Sequence, residues 1–500
     1  MPQAVNRIYR ALFSGEKIAV YGDFDADGIT ATALLVQGLS GLGGRVVPYI
    51  PHRLHEGYGL KLAALERLHK QGVRLVVTVD CGTTNFEEVR QAKNLDMDII
   101  ITDHHLPTTS LPPAVAVVNP KRGDSTYPTP GLAGVGVAFK LFQAVLYKSG
   151  REESLTELTD LVALGTVADM SPLIGENRYL VKQGLKVIND APRLGLQEII
   201  NCAGLTPSKL DAETISWTLG PRLNAAGRLG YATNSYQLLL TQSKHEASAL
   251  AQELERENAQ RQKLTSEVLT RARENIIAAD TDQPLLITGD KNFFPGVVGI
   301  AAGRLADEFY RPVFLLRLGS ELCRGSARSI PEFDIIAALK QCRDLLTRFG
   351  GHAMAAGFTL STKNLASFKQ RLLSLATEQL AGLDLRPHLD IDAEVPLSSL
   401  SGETFNLIQQ MAPFGKANPL PNFLTRHVEV VECRNLGNKD AHLGLKLRQE
   451  NITWPAIGFN LGNFSSELTP YIDIAYNLKR DQWGGNKVLR INLLDFAPSD

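Results

Sequence analysis

The stretch KIAVYGDFDADGITATALLVQGLSGLG, residues 17–43, decides the fold. Its first seven residues read as a buried strand, and the run from Ile29 onward carries apolar residues at helical spacing. Between the two lies an aspartate-rich turn. Four further strand patterns follow: RVVPYI (45–50), RLVVTVD (74–80), DIIITD (98–103) and AVAVVNP (114–120). LKLAALERLHKQG and NFEEVRQAKNL, between them, have helical periodicity. Strands alternating with helices predict βαβ units and a mostly parallel sheet. Ligands of such sheets bind beyond the carboxyl ends of the strands. Three of these five strands end in aspartate.

Downstream, residues 131–200 read as largely helical, and 244–280 as one long helix with charges of both signs and almost no Gly or Pro. A second α/β segment contains LLITGD (285–290), a helix around VVGIAAGRLADEF, PVFLLRL (312–318), a helix around FDIIAALKQCRDLL, and a glycine-rich turn at 350–357. After Pro387 the runs HVEVVECRNL, LGLKLRQ, TWPAIGF, YIDIAYNLKR and KVLRINLLDF alternate apolar and polar residues, which predicts a small all-β barrel or sandwich. The expected units are 1–203, 204–283 with the long helix, 284–387 and 388–500.

The 500 residues, 44% hydrophobic and 21% charged, exclude a disordered or fibrous chain. Lys plus Arg total 52 against 53 acids, a net charge of -1, which argues against a uniformly basic surface but allows a local basic groove. No apolar run reaches membrane-span length, and the start MPQAVNRIYR lacks a signal-peptide core. Cys81, Cys202, Cys323, Cys342 and Cys433 are scattered, as expected of reduced cytoplasmic thiols.

Asp23, Asp25 and Asp27 crowd three carboxylates into five residues, a costly arrangement unless a cation neutralises them. Taken alone, the turn reads equally as a cap for the next helix. Asp80, however, ends a second strand, and Asp103, His104 and His105 end a third. Asp169 follows an apolar helical run. Carboxylates with imidazoles suit Mn²⁺, Mg²⁺ or Fe²⁺ better than a soft-ligand zinc site. There are enough ligands for two ions, a standard device for hydrolysing phosphate esters.

GDFDADG (22–28), VTVD (77–80), TDHH (102–105) and GTVADMSPL (165–173) together resemble the ordered motifs of the DHH phosphoesterase family. GPRLNAAGRLG (220–230), SARS (326–329), GGHAMAAGF (350–358) and APFGKANPLPNF (412–423) resemble the further motifs of its single-strand-specific exonucleases. The resemblance covers nearly the whole chain. It implies an α/β protein with a parallel-sheet DHH domain, a long connecting helix, a smaller α/β DHH-associated domain and a C-terminal all-β OB-fold. It also implies hydrolysis of single-stranded DNA from its 5′ end to mononucleotides, in recombination and repair. Related enzymes acting on oligoribonucleotides or cyclic dinucleotides, and non-enzymatic replication scaffolds of this fold, are the alternatives.

Carried over by motif, the resemblance implies Asp25, Asp27, Asp80, His104 and Asp169 as ligands of two Mn²⁺ or Mg²⁺ ions, with Asp80 bridging. Asp23 and Asp103 are expected to orient the ligands, and His105 to touch the scissile phosphate. Tyr21 stands where some relatives have histidine, and Ala417 where glycine is usual. Relatives also carry a longer segment ahead of the first strand. A 5′-phosphate favours arginine forks, and residues 291–352 hold seven Arg and two Lys against six acids. Ser326 and Arg328 are expected to clamp it, with Arg228 reaching across. Asn224, beside Arg222, and His352, in its glycine-alanine run, are further substrate contacts. In the tail, Phe423, Lys446, Arg448, Phe459, Arg480 and Trp483 are expected to line a stacking platform. Implied partners are single-strand-binding protein and helicases, with the enzyme itself a cytoplasmic monomer away from membranes.

Overall fold

The computed structural model describes residues 1–499 except 109, 148, 191, 280 and 482–487, and the side chains of 439 and 481. The five strands expected near the N-terminus all form: β1 (Lys17–Tyr21), β2 (Arg45–Tyr49), β3 (Val73–Val79), β4 (Asp98–Thr102) and β5 (Ala116–Val118). They pair in the order β2-β1-β3-β4-β5, every neighbour parallel. The chain leaves β1 toward one edge and later crosses to the other, so a crevice opens beyond the carboxyl ends of β1 and β3. Asp23 and Asp80 stand there. One face of the sheet packs on helices Leu62–Lys70 and Phe86–Ala92 through Ala19, Tyr21, Val76 and Ile101. The other meets helices Ala26–Gly41 and Gly134–Leu146. Ala26–Gly41 is buried on nearly all sides, which its continuous apolar composition allows.

Helix Lys244–Ala279 runs 36 residues, about 54 Å. Its buried stripe Ala247, Ala251, Leu254, Asn258, Arg261, Thr265, Val268, Ala272 and Ile276 advances by three or four residues a step. It packs on helices Leu194–Cys202 and Gly220–Leu229 and also on helix Pro295–Phe309, linking the first sheet's helices to a second α/β layer. That layer is a mixed sheet in the order β6-β7-β8-β10-β9, from β6 (Leu286–Asp290), β7 (Val313–Arg317), β8 (Leu322–Arg328), β9 (Leu346–His352) and β10 (Ala355–Ser361). Ser326–Arg328 of SARS lie on strand β8, and the sequence reading needs one correction: the expected glycine-rich turn is a β9–β10 hairpin. Glycine and alanine leave no alternating side-chain pattern, so the hairpin's strands carried no period-two signal. Phe314, Phe358 and Phe368 form this layer's core, with ring centroids 5.3–6.4 Å apart.

Residues 1–171 and 175–387 form one compact unit; 172–174 with 388–500 form another. In the second, β11 (Ala393–Glu394), β12 (Phe423–Leu436), β13 (His442–Gln449), β14 (Ile452–Gly458), β15 (Tyr471–Asp481) and β16 (Val488–Pro498) pair as β11-β12-β13-β14-β16-β15. An added β12–β15 pairing closes five of them into a barrel, with β14 and β16 parallel. This is the barrel expected from the alternating tail, and its architecture is OB-like.

Candidate metal centre and strand cleft

The aspartate-rich turn caps the next helix and also turns carboxylates inward. Asp25 is the N-cap of helix Ala26–Gly41, its Oδ1 accepting from the amides of Asp27 and Gly28, each at 3.1 Å. Asp23 and Asp27 turn inward and are buried. The turn folds back so tightly that a Cβ on Gly28 would lie 2.6 Å from the Asp23 backbone.

Asp27 is held at the N-terminus of helix Gly134–Leu146, accepting from Gly134 N–H at 2.6 Å and Val135 N–H at 2.7 Å. Asp80, at φ +60, turns the chain sharply after β3. Its Oδ1 lies 3.1 Å from His104 Nε2. Both atoms are buried, and neither makes a hydrogen bond among the described residues. His104 Nε2 is also 3.8 Å from Asp27 Oδ2, and its Nδ1 is 3.9 Å from Asp169 Oδ2. Asp169 follows helix Thr159–Ala168 and accepts from Ser171 Oγ at 2.6 Å.

Burial pushes Asp23, Asp27 and Asp80 well above the usual carboxylate range, and each is raised further by neighbouring aspartates. Burial pushes Asp169 up to about 6 against the Ser171 hydrogen bond. His104 is pushed down to about 3 by burial, with His105 adding, so its ring is neutral. Crowded carboxylates around a neutral imidazole, with facing atoms unpaired, form a donor set that suits a hard divalent cation. Three groups have ligand atoms mutually within 4.8 Å: Asp27, His104 and Asp169; Asp23, Asp25 and Asp80; and Asp80, His104 and His105. Asp80 belongs to two of them. Asp23, expected to orient ligands, falls within one of these groups, and its Oδ1 also makes no hydrogen bond among the described residues.

Asp103 hydrogen-bonds both histidines of its motif. Its oxygens accept from the amides of Thr83 (2.9 Å), His104 (2.7 Å) and His105 (3.1 Å), and Oδ1 is 2.8 Å from His105 Nδ1. Burial alone would raise its pKa; these bonds and the His105 charge hold it well below its usual range. Burial likewise opposes the charge of His105, but Asp103 raises the ring's pKa above the ordinary value. Tyr58 was not anticipated from sequence: its hydroxyl is 3.0 Å from His105 Nδ1 and donates to Asp80 O at 3.3 Å. His352, at the tip of β9, stacks on His105 across the cleft at 6.2 Å and 11°. Asn224 Oδ1 accepts from Ala26 N–H at 2.9 Å, so it steadies the metal-site turn instead of reaching only toward substrate. Tyr21 is buried, donating to Gly59 O at 3.2 Å.

Arg228 and Arg328, expected to seat a terminal phosphate, lie near one helix, and Arg53 is close to both. A Cβ on Gly299 would meet Arg328 Nη2 at 3.1 Å and Ser326 Oγ at 3.4 Å, so both side chains converge on the Pro295–Phe309 helix. Arg228 donates to Gly296 O at 3.2 Å, near that helix's start. Burial pushes Arg228 down to about 9, and Arg53, Arg261 and Arg328 add their repulsion. Arg328 is likewise lowered by burial and by Arg53. Arg53, whose guanidinium lies 4.7 Å above the Phe24 ring, was, like Tyr58, not anticipated from sequence. Its loop, PHRLHEGYGL, follows β2, and strand carboxyl ends are where such residues belong. Like charges drawn together in half-buried surroundings are best compensated by an anion.

In the barrel, several expected contacts are otherwise engaged. Lys446 pairs with Glu432 at 3.0 Å, Arg448 forks onto Glu429 at 2.6–2.7 Å, and Arg480 lies 4.6 Å above the Phe405 ring. Phe423 packs against the barrel core. Phe459 is exposed beneath Arg490 at 5.6 Å, and Trp483 lies outside the described residues. A cavity of about 830 Å³ opens instead beside Arg434, Lys446, Ile457 and Arg490.

Comparison with known proteins agrees with this arrangement. The DHH family N-terminal domain matches residues 17–166, the DHHA1 domain 282–380 and the RecJ OB domain 391–495. The single-stranded-DNA-specific exonuclease RecJ of Bacillus subtilis is 37% identical over 504 residues, covering 100% of this chain, which spans 64% of that protein's length. The RecJ of Escherichia coli K12 is 35% identical, covering 99% of this chain and 90% of its own length. The crystal structure of Thermus thermophilus RecJ in complex with Mn²⁺ superposes with a TM-score of 0.87 at 34% identity, over 100% of this chain and 71% of the other. This chain belongs to the RecJ family, within the DHH family.

Proposed function

We propose that the chain is a divalent-metal-dependent exonuclease that hydrolyses single-stranded DNA from its 5′ end to mononucleotides, in recombination and repair. The observation that carries the reading is the pair of buried, unpartnered atoms, Asp80 Oδ1 and His104 Nε2, facing each other at 3.1 Å among four further carboxylates. Asp25, Asp27, Asp80, His104 and Asp169 would hold two Mn²⁺ or Mg²⁺ ions, with Asp80 shared. The chemistry such a pair supplies is Lewis-acid polarisation of the phosphate and acidification of water. The chain's own groups do the rest. Asp103 fixes the ring of His105 beside the cleft, where an imidazolium can donate to a phosphate oxygen or the leaving group. Arg228, Arg328 and Ser326, joined by Arg53, would seat the 5′-terminal phosphate. His352 closes over the reacting region from the second layer.

The division into 1–203, 204–283, 284–387 and 388–500 is part of the proposal. So are a cytoplasmic monomer and an association with single-strand-binding protein and helicases. Among the described residues no helix is long and apolar enough to cross a membrane. The test is digestion of 5′- and 3′-labelled single-stranded DNA and RNA with Mn²⁺ or Mg²⁺. Labelled mononucleotide should appear first from the 5′-labelled DNA. Release from the 3′ label first, or a preference for short RNA, would overturn the reading.

A further inference from the structure

Residues 212–229 form a helix interrupted by a π-helical turn, Ile215–Leu219. The cause is in the sequence. Pro221 has no N–H to offer the Trp217 carbonyl, and Gly220 N–H bonds Ile215 O five residues back. The widened turn leaves Trp217 77% exposed, an unusual state for so large an apolar side chain. The turn is not remote. Ser216 Oγ is 3.9 Å from Met170 Sδ, and a Cβ on Gly220 would lie 3.3 Å from Ala168 Cβ. Ala168 and Met170 flank Asp169. Met170 is itself 55% exposed, in the left-handed region at φ +60.

The same helix ties both ends of the cleft together. Ser216, the residue before Trp217, meets Met170 next to Asp169; Asn224 bonds Ala26 at the aspartate-rich turn, and Arg228 joins the arginine cluster. Trp217 and Arg228 are about 16 Å apart along the helix axis, a distance a few nucleotides cover. Asn224, between them on the helix, bonds Ala26 in the turn that carries Asp25 and Asp27. If the 5′-phosphate sits at Arg228, a strand passing the carboxylates leaves toward Trp217.

We propose that exposed Trp217, next to the Ser216 that meets Met170, is the stacking surface for a base beyond the first nucleotide on the 3′ side of the scissile phosphate. The indole face is sequence-tolerant, as a processing enzyme requires. This rests on the exonuclease reading above and adds to it the direction in which the strand runs along the helix.

The test is a length series of 5′-phosphorylated oligodeoxynucleotides, from dinucleotide to decanucleotide, cleaved by the full chain with Mn²⁺. Trp217→Ala should raise KM for the longer substrates by about tenfold or more. The dinucleotide KM and kcat should be unchanged, and Trp217→Tyr should restore most of the loss. An equal loss at every length, or no loss at any, overturns the proposal. A binding measurement separates this from failure of the exonuclease reading. In metal-free buffer, titration with a decanucleotide should quench tryptophan fluorescence in the wild-type chain, and much less in Trp217→Tyr. Equal quenching in both would also overturn it, whatever the hydrolysis assay shows.

Discussion

Asp80 and Arg328 occupy opposite electrostatic situations, and their replacement should have opposite signatures. Asp80 is a buried carboxylate beside other carboxylates, so without a cation it destabilises the fold it belongs to. Asp80→Asn should therefore leave the metal-free protein folded, with a melting temperature equal to or above wild type. It should also lower hydrolysis by at least about a thousandfold and abolish most of the stabilisation that Mn²⁺ confers. Parallel thermal scans with Mn²⁺ or a chelator, beside the rate, check this. A variant that keeps near-normal rates would remove Asp80 from the centre. Arg328 is a cation lowered by burial and by Arg53, and it benefits from an anion. Arg328→Ala should cut the preference for 5′-phosphorylated over unphosphorylated ends by about tenfold, the loss expected of one charge-assisted pair. An unchanged ratio would place the terminal phosphate elsewhere.

At the scale of elements, periodicity explains what the sequence revealed and what it hid. The βαβ alternation was legible because each strand is a short apolar run with a helical pattern beside it. The long helix was legible from its stripe and its lack of breakers. The β9–β10 hairpin was not, since Gly350, Gly351, Ala355 and Gly357 carry no alternation. Strand-end aspartates announced the site, whereas the backbone amides that hold Asp27 lie 107 and 108 residues away, a relation no local pattern encodes. Helix Gly134–Leu146 thus acts as a part of the centre. A Cβ on Gly134 would fall 2.6 Å from Asp80 Cβ and 2.8 Å from its Oδ1. Gly134→Ala should shift Asp80 and the helix start together, costing about 1–3 kcal/mol of stability. It should weaken Mn²⁺ binding by about tenfold or more, because supporting geometry tunes ligand position. Calorimetric Mn²⁺ titration checks this, and wild-type affinity would show that the helix start yields without consequence.

For the whole molecule, the net charge of -1 describes a balance of separated parts. Carboxylates concentrate at the ends of β1 and β3, while Arg228 and Arg328 gather near the start of helix Pro295–Phe309, with Arg53 close enough to lower the pKa of both. Two divalent ions would bring the formal charge to about +3 without altering the outer surface. Long-range attraction to a polyanion is therefore weak, and the strand is held by few, local contacts. In the barrel, Lys446 and Arg448 are already paired with Glu432 and Glu429, and the guanidinium groups lining its cavity are those of Arg434 and Arg490. Three to five phosphates neutralised by arginine predict a slope of log affinity against log salt between about -2 and -3.5 for a single strand. Anisotropy of a labelled decanucleotide in metal-free buffer, across a salt series, measures it directly. A slope steeper than about -5 would mean that the lysines and arginines now paired with carboxylates release them to bind phosphate, and that the charge balance is rearranged by the substrate itself.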